Sequence, residues 1–417
     1  MAMLGPVVVV SECPAPDLAD VLGKAGAFPI VEATFADAPA AIAEIEPAAL
    51  VVTAAGPWPA GRVGNTLIKT IEARGGPFMP VLARVSEDSE AVIPHALPIT
   101  TCEPPSRLIA RLRSALRVRT LHQTVLRRTG ATPSGKALPP GLLDHATVLC
   151  MGRGPSYPAL TTAIGERVGL IGALSVETAA RYLNARDIDG IVIGDGFSWR
   201  VVEALLTVLA EDLRFRDLPV GLFAATNIDD ERLPNLVRFE ESPLRMVEHF
   251  LPLVRLQAFE SHLKRMLKSV DSKGLVDPET GLLSRDAFWR EIDRAVHEAE
   301  DGGGALSVAR FTFEGIDRRA SIDAARLFSR LVRDVDFACR EQDGAIVAAF
   351  TETDLRSAHV VARRLASMLK HTMLSPGDRG SIKPTVTLAT LKPTDDLATL
   401  VARVGTSPEV AADRRQA

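Results

Sequence analysis

Short apolar runs alternate with amphipathic stretches along the first part of the chain. The runs that read as strands are VVVV (7–10), FPIVEA (28–33), ALVVTAAG (49–56), PVLARV (80–85) and LPITT (97–101). Helical patterns separate them, and a basic amphipathic helix follows over 105–128. Apolar runs of this length, bounded by turn residues, fit buried strands. Strand and helix alternate, which predicts an α/β fold with a parallel sheet covered by helices on both faces.

The same order of elements then starts again. Residues 129–145 are rich in Gly, Pro, Ser and Thr and predict a linker after a first domain over 1–128. The strand candidates of the next block are ATVLCMG (146–152), GIVIGDG (190–196), PVGLFAA (219–225) and LVRFEES (236–242), and a long helix follows over 242–270. This order indicates an internal repeat of roughly 120 residues. The second domain is therefore predicted over 146–270.

A third domain, over 271–405, has a different pattern and leaves a tail over 406–417. Helices are predicted over 285–300, 321–335 and 354–371, and strands over 305–313 and 384–391. Between them, Asp343-Gly344 separates two strand-like runs, which is a strong hairpin signal. Helices combined with a hairpin predict an α/β or α+β domain with a mixed sheet.

Composition excludes several classes of protein. The net charge of −4 lacks the basic excess of a nucleic-acid coat or an anionic-membrane binder. Four dispersed cysteines form no CxxC, and eight scattered histidines form no HExxH, so no metal or other cofactor is predicted. No apolar run approaches the length of a membrane span, and the N-terminus is unlike a signal peptide, so a cytoplasmic protein without membrane insertion is expected.

The third domain resembles the GGDEF family of diguanylate cyclases. DPETGLLSRDAF (277–288) is similar to that family's opening motif D-x-L-T-G-L-x-N-R-x-x-F. The positions that match are Asp277, Thr280, Gly281, Leu282, Arg285 and Phe288, whereas Glu279 and Ser284 depart. RDVDFACR before the hairpin and TDLRSAHVVARRL (353–365) after it extend the resemblance. The first two domains resemble flavodoxin-like receiver domains, so the whole chain is similar to PleD-type response regulators.

This resemblance implies that cyclase chemistry is absent. Active members hold Mg²⁺ through acids on the first strand and in the GGDEF turn. Thr312 stands at the first of these positions and Glu314 near the second, while residues 342–346 read QDGAI in place of the signature turn. Ala345 lacks the metal-binding acid, so we expect a protein that is not an enzyme.

The family's regulatory R-x-x-D site for cyclic di-GMP has a counterpart here. Arg333 and Asp336 occupy it, Arg340 leads into the turn, and Arg364 falls on a further family arginine, with Arg363 as the alternative one residue away. A guanidinium can bind guanine O6 and N7 or a phosphate, and a carboxylate can accept from guanine. An arginine and an aspartate three apart at a helix end also commonly form a solvent-exposed ion pair without function.

The receiver-like domains lack most of the residues that accept a phosphate in that family. In the first domain, the metal acids correspond to Ser11-Glu12, the acceptor to Thr53 and the lysine to Glu103. In the second domain, the metal acids correspond to Met151-Gly152, the acceptor to Gly194 or Asp195, and the lysine to Ser242. Asp195 is a candidate acceptor after a shift of one residue. Without metal acids or a lysine, the role of a turn residue is favoured for it.

Three hypotheses follow. The leading one is an inactive relative that binds cyclic di-GMP as a regulatory ligand through Arg333, Asp336, Arg364 and Arg340, and that recruits signalling proteins. It would resemble PopA-type effectors, adaptors of the cell cycle at a cell pole. The second is a scaffold that needs no nucleotide, and the third is a residual cyclase. The receiver-like domains suit a homodimer and docking of partner proteins, and no nucleic acid is expected to bind.

Overall fold

The computed structural model describes eleven segments of the chain. They are residues 6–53, 62–85, 93, 95–101, 103–129, 141–223, 232–239, 243–302, 305–333, 335–370 and 384–405. The centre of the predicted linker (130–140), the predicted tail (406–417) and Ser242 lie outside them. The chain forms two compact units, one of residues 1–180 and 188–263 and the other of residues 181–187 and 264–417.

The first unit begins with a five-stranded parallel sheet. Its elements are β1 (Val7–Val10), α1 (Pro16–Lys24), β2 (Ile30–Ala33), α2 (Ala38–Ile45), β3 (Ala49–Thr53), α3 (Arg62–Ala73), β4 (Val81–Val85), β5 (Leu97–Thr100) and α4 (Pro105–Thr129). The strand order is β2-β1-β3-β4-β5, and every neighbouring pair is parallel. All four residues of β1 are fully buried, as expected for a central strand covered on both faces.

The second sheet of this unit repeats the arrangement. Its elements are β6 (Thr147–Met151), α5 (Tyr157–Gly165), β7 (Gly169–Ala173), α6 (Val176–Ala185), β8 (Gly190–Ile193), α7 (Trp199–Glu211), β9 (Val220–Phe223), β10 (Leu236–Phe239) and α8 (Pro243–Asp271). The order β10-β9-β8-β6-β7, read from the other edge, is again 2-1-3-4-5, the flavodoxin-like order of doubly wound sheets. The predicted α/β class with parallel sheets is confirmed, while β7 was missed.

Helix α4 joins the two sheets through buried arginines. Arg107 Nη1 donates to the carbonyl of Leu233 at 2.6 Å. Arg111 is 1% exposed and donates to the carbonyls of Pro98, Pro234 and Leu236, which belong to both sheets. Burial lowers the pKa of Arg111 to about 10, so the guanidinium keeps its charge at neutral pH. The helix predicted over 105–128 is thus bonded to the second sheet.

The middle of α8, up to Leu263, packs within the first unit. Residues 251–270 are long enough to project as a free helix, yet Val254, Ala258, Phe259 and Leu263 are all at most 6% exposed. Phe259 makes edge-to-face contacts with Phe78, at 5.6 Å between ring centroids, and with His122. This part of α8 therefore contributes to the core.

The second unit contains an antiparallel sheet. Its elements are α9 (Arg285–Gly302), β11 (Leu306–Phe313), α10 (Arg318–Leu331), β12 (Phe337–Arg340), β13 (Ile346–Thr351), α11 (Leu355–Lys370), β14 (Pro384–Thr390) and α12 (Leu397–Ala402). The order is β12-β13-β11-β14, and all three ladders are antiparallel. The prediction of a mixed sheet is wrong for these four strands, because each neighbour returns in the opposite direction. The hairpin is as predicted, and α12 was missed.

Helices cover both faces of this sheet. Ala358, Ala362 and Leu365 of α11, together with Phe328 of α10, pack on the face that carries Phe350. On the other face, Phe288, Ile292 and Val296 of α9 pack with Val347 and Ala349. Alternate residues of β13 therefore enter two separate cores, as the two-residue period of a strand requires.

Across the described segments, every helix is too short or too polar to serve as a membrane span.

Candidate functional site

The DPETG segment is a closed turn that is fixed to α10. Thr280 Oγ1 donates to Asp277 Oδ2 at 2.5 Å, and the backbone N–H of Glu279 donates to Asp277 Oδ1. Gly281 has φ 77°, a conformation that favours glycine. Arg326 of α10 donates through Nε to the carbonyl of Glu279 at 2.9 Å. Through this bond, α10 holds the DPETG segment in place.

Arg333 and Asp336 lie in a turn rather than at the end of a helix. Helix α10 was predicted to reach residue 335, but it ends at Leu331, and Val332 is extended with φ −71° and ψ 141°. The backbone N–H of Asp336 donates to the carbonyl of Arg333 at 3.0 Å, which is the closing bond of a β-turn. The extended backbone at Val332 ends the helix, and the chain then turns and enters β12 at Phe337.

The carboxylate of Asp336 is anchored to the far end of the hairpin. Asp336 is 7% exposed, and its Oδ1 accepts the backbone N–H of Thr351 at 3.1 Å. Thr351 Oγ1 donates to the carbonyl of Val335 at 3.0 Å. Burial raises the pKa of Asp336, while the bond from Thr351 and the charge of Arg333 act in the opposite direction. The carboxylate is therefore held in place between β13 and the turn.

Replacing Asp336 by alanine is expected to lower the free energy of unfolding by about 1–3 kcal/mol, because the N–H of Thr351 loses its acceptor. Asp336→Asn keeps an oxygen at the same place and is expected to lose less than about 1 kcal/mol. Urea denaturation followed by circular dichroism measures both. An alanine variant as stable as the parent protein would show that this hydrogen bond contributes nothing.

The two arginines that complete the predicted site are solvent-exposed. Arg333 begins the turn, and Arg364 lies on α11 with Arg363 beside it; all three are exposed. Within the described segments, the side chains of Arg333 and Arg364 make no hydrogen bond to the protein. Their guanidinium donors are therefore available to a ligand. The residues share one sheet and its helices, and Arg333 is close enough to Asp336 to act on its pKa.

Arg340 lies at the opposite end of β12. Arg340 is three residues after Phe337, which follows Asp336. Along a strand, three residues span about 10 Å. Its Nε donates to Ser321 Oγ at 2.8 Å, and Ser321 Oγ donates to the carbonyl of Gly344. The structure thus brings Arg340 to the hairpin turn and α10, not to Arg333. Ser321 was missed because nothing in the local sequence distinguishes it.

Charged residues surround the hairpin turn. Arg310 of β11 forms an ion pair with Asp343. Arg285 Nε lies 2.8 Å from Glu341 Oε2, in a pair that is 17% and 8% exposed. Burial raises the pKa of Glu341, opposed by Arg285. Gly344 has φ 85°, and a Cβ there would lie 2.9 Å from Ser321 Oγ. Side chains of β11, α9 and α10 thus pack around the turn.

The three positions that the sequence comparison relates to metal-binding acids are Thr312, Glu314 and Ala345. Thr312 Oγ1 donates to the carbonyl of Thr385 at 3.3 Å, and Glu314 is exposed. Ala345 is 3% exposed and faces the core. Among the residues that the structure describes, no three His, Cys, Asp or Glu side chains come together as a metal site.

Asp195 supports the loops at the ends of β6 and β8. Ser156 Oγ donates to Asp195 Oδ1 at 2.5 Å, and the backbone N–H groups of Arg153 and Gly154 donate to the Asp195 carbonyl. A Cβ at Gly154 would lie 2.3–2.5 Å from the carboxylate atoms. The side chain is therefore enclosed by the loop that precedes α5, which suits the turn role that the sequence favours.

Comparison with known proteins finds similarity in solved structures alone. GGDEF domains are similar in structure to part of this chain. The coiled coil and GGDEF domain of DgcB from Caulobacter crescentus, in complex with c-di-GMP, is 21% identical, covers 37% of this chain and 88% of its own, and has a TM-score of 0.31. The FimX GGDEF domain from Pseudomonas aeruginosa is 21% identical, covers 34% and 94%, and has a TM-score of 0.29. No family model and no curated protein matches the chain.

Proposed function

We propose that this chain is a cyclic di-GMP-binding effector, built on an inactive diguanylate cyclase-like domain, that recruits partner proteins. The observation that carries the proposal is the Arg333–Asp336 turn. An exposed guanidinium without a hydrogen bond to the described protein stands beside a carboxylate whose position is fixed by Thr351. A flexible donor group next to a pre-positioned acceptor suits a ligand that offers both acceptors and donors, as guanine does.

In this proposal the ligand uses the second carboxylate oxygen of Asp336 and the exposed guanidinium of Arg333. Oδ1 of Asp336 is used by Thr351, which leaves Oδ2 to accept from the N1 and N2 groups of a guanine. Arg333 then donates to O6 and N7 or to a phosphate, and Arg364 stacks on a base or pairs with a phosphate. Arg340 is engaged with Ser321 and is therefore assigned a supporting role at the hairpin turn.

Loss of cyclase activity is part of the proposal. Support comes from Thr312 and Ala345, which offer no carboxylate at two positions where the family binds Mg²⁺. It also comes from Asp343, because its carboxylate forms an ion pair with Arg310 and the positive charge of Arg310 opposes binding of a metal ion there. Incubation with GTP and Mg²⁺ is expected to yield no cyclic di-GMP, and measurable product would overturn this part.

Recruitment is proposed for the first unit. Its two sheets have the strand order of receiver domains, and α4 bonds them together through Arg107 and Arg111. A unit held in this way presents a fixed surface to a partner. The same observation favours the second candidate function, a scaffold that assembles proteins without any nucleotide. Whether the chain binds cyclic di-GMP separates the two candidates.

Arg333→Ala is expected to weaken binding of cyclic di-GMP by about 10- to 100-fold, the effect of losing hydrogen bonds from a charged donor. Isothermal titration calorimetry with the purified full chain measures this. Arg364→Ala and Arg363→Ala, compared side by side, decide which of the neighbouring arginines contacts the ligand. Asp336→Asn is preferred to alanine, since it keeps an acceptor for Thr351.

Arg290→Ala serves as the matched control, because Arg290 is an exposed arginine on α9, which packs on the other face of the sheet. Its binding should equal that of the parent protein. Thermal melts of all variants should coincide, since each of these arginine changes lies on the surface. Absence of binding heat with the parent protein would overturn the effector proposal and leave the scaffold.

A further inference from the structure

One face of α11 carries a regular basic stripe. Arg356, Arg363 and Lys370 recur every seven residues, and His359 lies beside them one turn after Arg356. All four side chains are exposed; within the described segments, Asp354, which precedes the helix, is the carboxylate on whose pKa Arg356 acts, and no ion pair joins a carboxylate to Arg363 or Lys370. Seven residues are nearly two helical turns, so the three cations stand in one row about 10 Å apart. We call Arg356, Arg363 and Lys370 the basic stripe.

One face of α9 carries an acidic stripe with the same repeat. Asp286, Asp293 and Glu300 also recur every seven residues and are exposed, and the exposed Arg290 and His297 lie next to this row. Ion pairs on α9, such as Arg294 with Glu291, involve other residues of the helix. Among the described residues, the carboxylates of the acidic stripe thus have no cationic partner. Two rows of three opposite charges with equal spacing are therefore present on one chain.

The two stripes cannot meet within one chain. Helix α11 packs through Ala358 and Leu365 on one face of the antiparallel sheet, whereas α9 packs through Phe288 and Ile292 on the other face. The charged side of each helix points away from the sheet that lies between them. Any pairing of the stripes therefore requires a second copy, and the contact joins two different surfaces, which is a heterologous arrangement.

We propose that α9 of one copy lies against α11 of the next, so that the acidic stripe of one pairs with the basic stripe of the other. Equal spacing lets all three pairs form in one register, as charged flanking positions do between paired helices. Exposed pairs are individually weak and are screened by salt. Self-association is consequently expected at high protein concentration and low ionic strength. Because the contact is head-to-tail, it builds rings or open chains rather than stopping at a two-fold dimer.

Sedimentation velocity of the full chain without nucleotide tests this proposal. Runs at about 50 mM and about 500 mM salt compare weak and strong screening of the charges on the two stripes. The parent protein should sediment faster as its concentration rises at low salt, and this rise should vanish at high salt. Reversing the basic stripe (Arg356→Glu, Arg363→Glu, Lys370→Glu) should abolish the rise. Reversing the acidic stripe (Asp286→Lys, Asp293→Lys, Glu300→Lys) should do the same.

The decisive step is to mix the two reversed proteins. Each carries two stripes of like charge, but together they restore opposite stripes, so the mixture should associate at low salt whereas neither does alone. Such restoration also shows that both variants are folded. The control is the reversal of three exposed arginines elsewhere, Arg113→Glu, Arg127→Glu and Arg200→Glu. It changes the net charge by as much as reversal of the basic stripe does, and it should leave the association intact.

Two results would overturn the proposal. One is a parent protein that does not associate at low salt at any accessible concentration. The other is a mixture that stays unassociated, which would assign the basic stripe to a different acidic partner. The outcome is independent of cyclic di-GMP, since every sedimentation measurement is made without nucleotide.

Discussion

Arg111→Met is expected to lower the free energy of unfolding by about 3–5 kcal/mol, among the largest effects of any single substitution in this chain. The carbonyls of Pro98, Pro234 and Leu236 each lose a charged donor inside the protein. Glu103, whose Oε2 lies 3.8 Å from Arg111 Nη1, loses the nearby positive charge. Methionine fills much of the volume but offers no hydrogen bond. Urea denaturation followed by circular dichroism measures the loss.

The matched control is Arg113→Met on the same helix. Arg113 also donates to a carbonyl, that of Ala25 at 2.9 Å, but it is exposed, so water replaces the bond when the side chain is removed. A loss of less than about 1 kcal/mol is expected. Equal losses for the two variants would show that burial of Arg111 adds nothing beyond a surface contact.

The second large effect is a dependence on pH from Asp323 of α10. Burial raises the pKa of Asp323 from 3.8 to about 6, although Arg326 and Arg186 favour the ionised form. The folded protein therefore keeps this proton to a higher pH than the unfolded chain does. Stability should fall as pH rises from about 4 to about 6 and stay level above about 7. The shift corresponds to a loss of about 3 kcal/mol.

Comparison with Asp323→Asn isolates this contribution, because the amide does not titrate. The stability of the asparagine variant relative to the parent protein should rise between about pH 4 and about pH 7, by up to about 3 kcal/mol. Ser329→Ala, a change on the same helix that removes no titratable group, should give a difference that does not vary with pH. A pH-independent difference for Asp323→Asn as well would mean that the neighbouring arginines cancel the cost of burial.

Local patterns were sufficient to predict most elements. Four consecutive valines mark β1 because β-branched residues favour strands, and a central strand covered on both faces buries all four of them. Asp343-Gly344 marks the hairpin because Gly344 adopts the positive φ that the turn needs. β7 was missed because GLIGA contains two glycines, which disfavour strands. Gly172 is required there by tertiary packing, since a Cβ would lie 2.4 Å from Tyr157 Oη.

The geometry around the candidate site residues could not be predicted from the sequence. The resemblance to the family's R-x-x-D site pointed to Arg333 and Asp336, yet the position of Asp336 depends on Thr351, a partner that only the folded hairpin brings close. Likewise, the same resemblance grouped Arg340 with them, whereas the strand β12 brings its side chain to Ser321. Contacts between residues distant in sequence decide both cases, and a local pattern contains no information about them.

The arginines of α4 also constrain how the chain can fold during synthesis. Arg107 and Arg111 come early in the sequence, but their carbonyl partners at residues 233–236 come more than 120 residues later. At about 5–20 residues per second, a ribosome needs roughly ten seconds to deliver them. Until then the nascent first sheet exposes guanidinium groups that belong in an interior. Full stability of the N-terminal sheet is thus expected only after the second sheet has emerged, so a truncated N-terminal fragment should be a poor substitute for the whole unit.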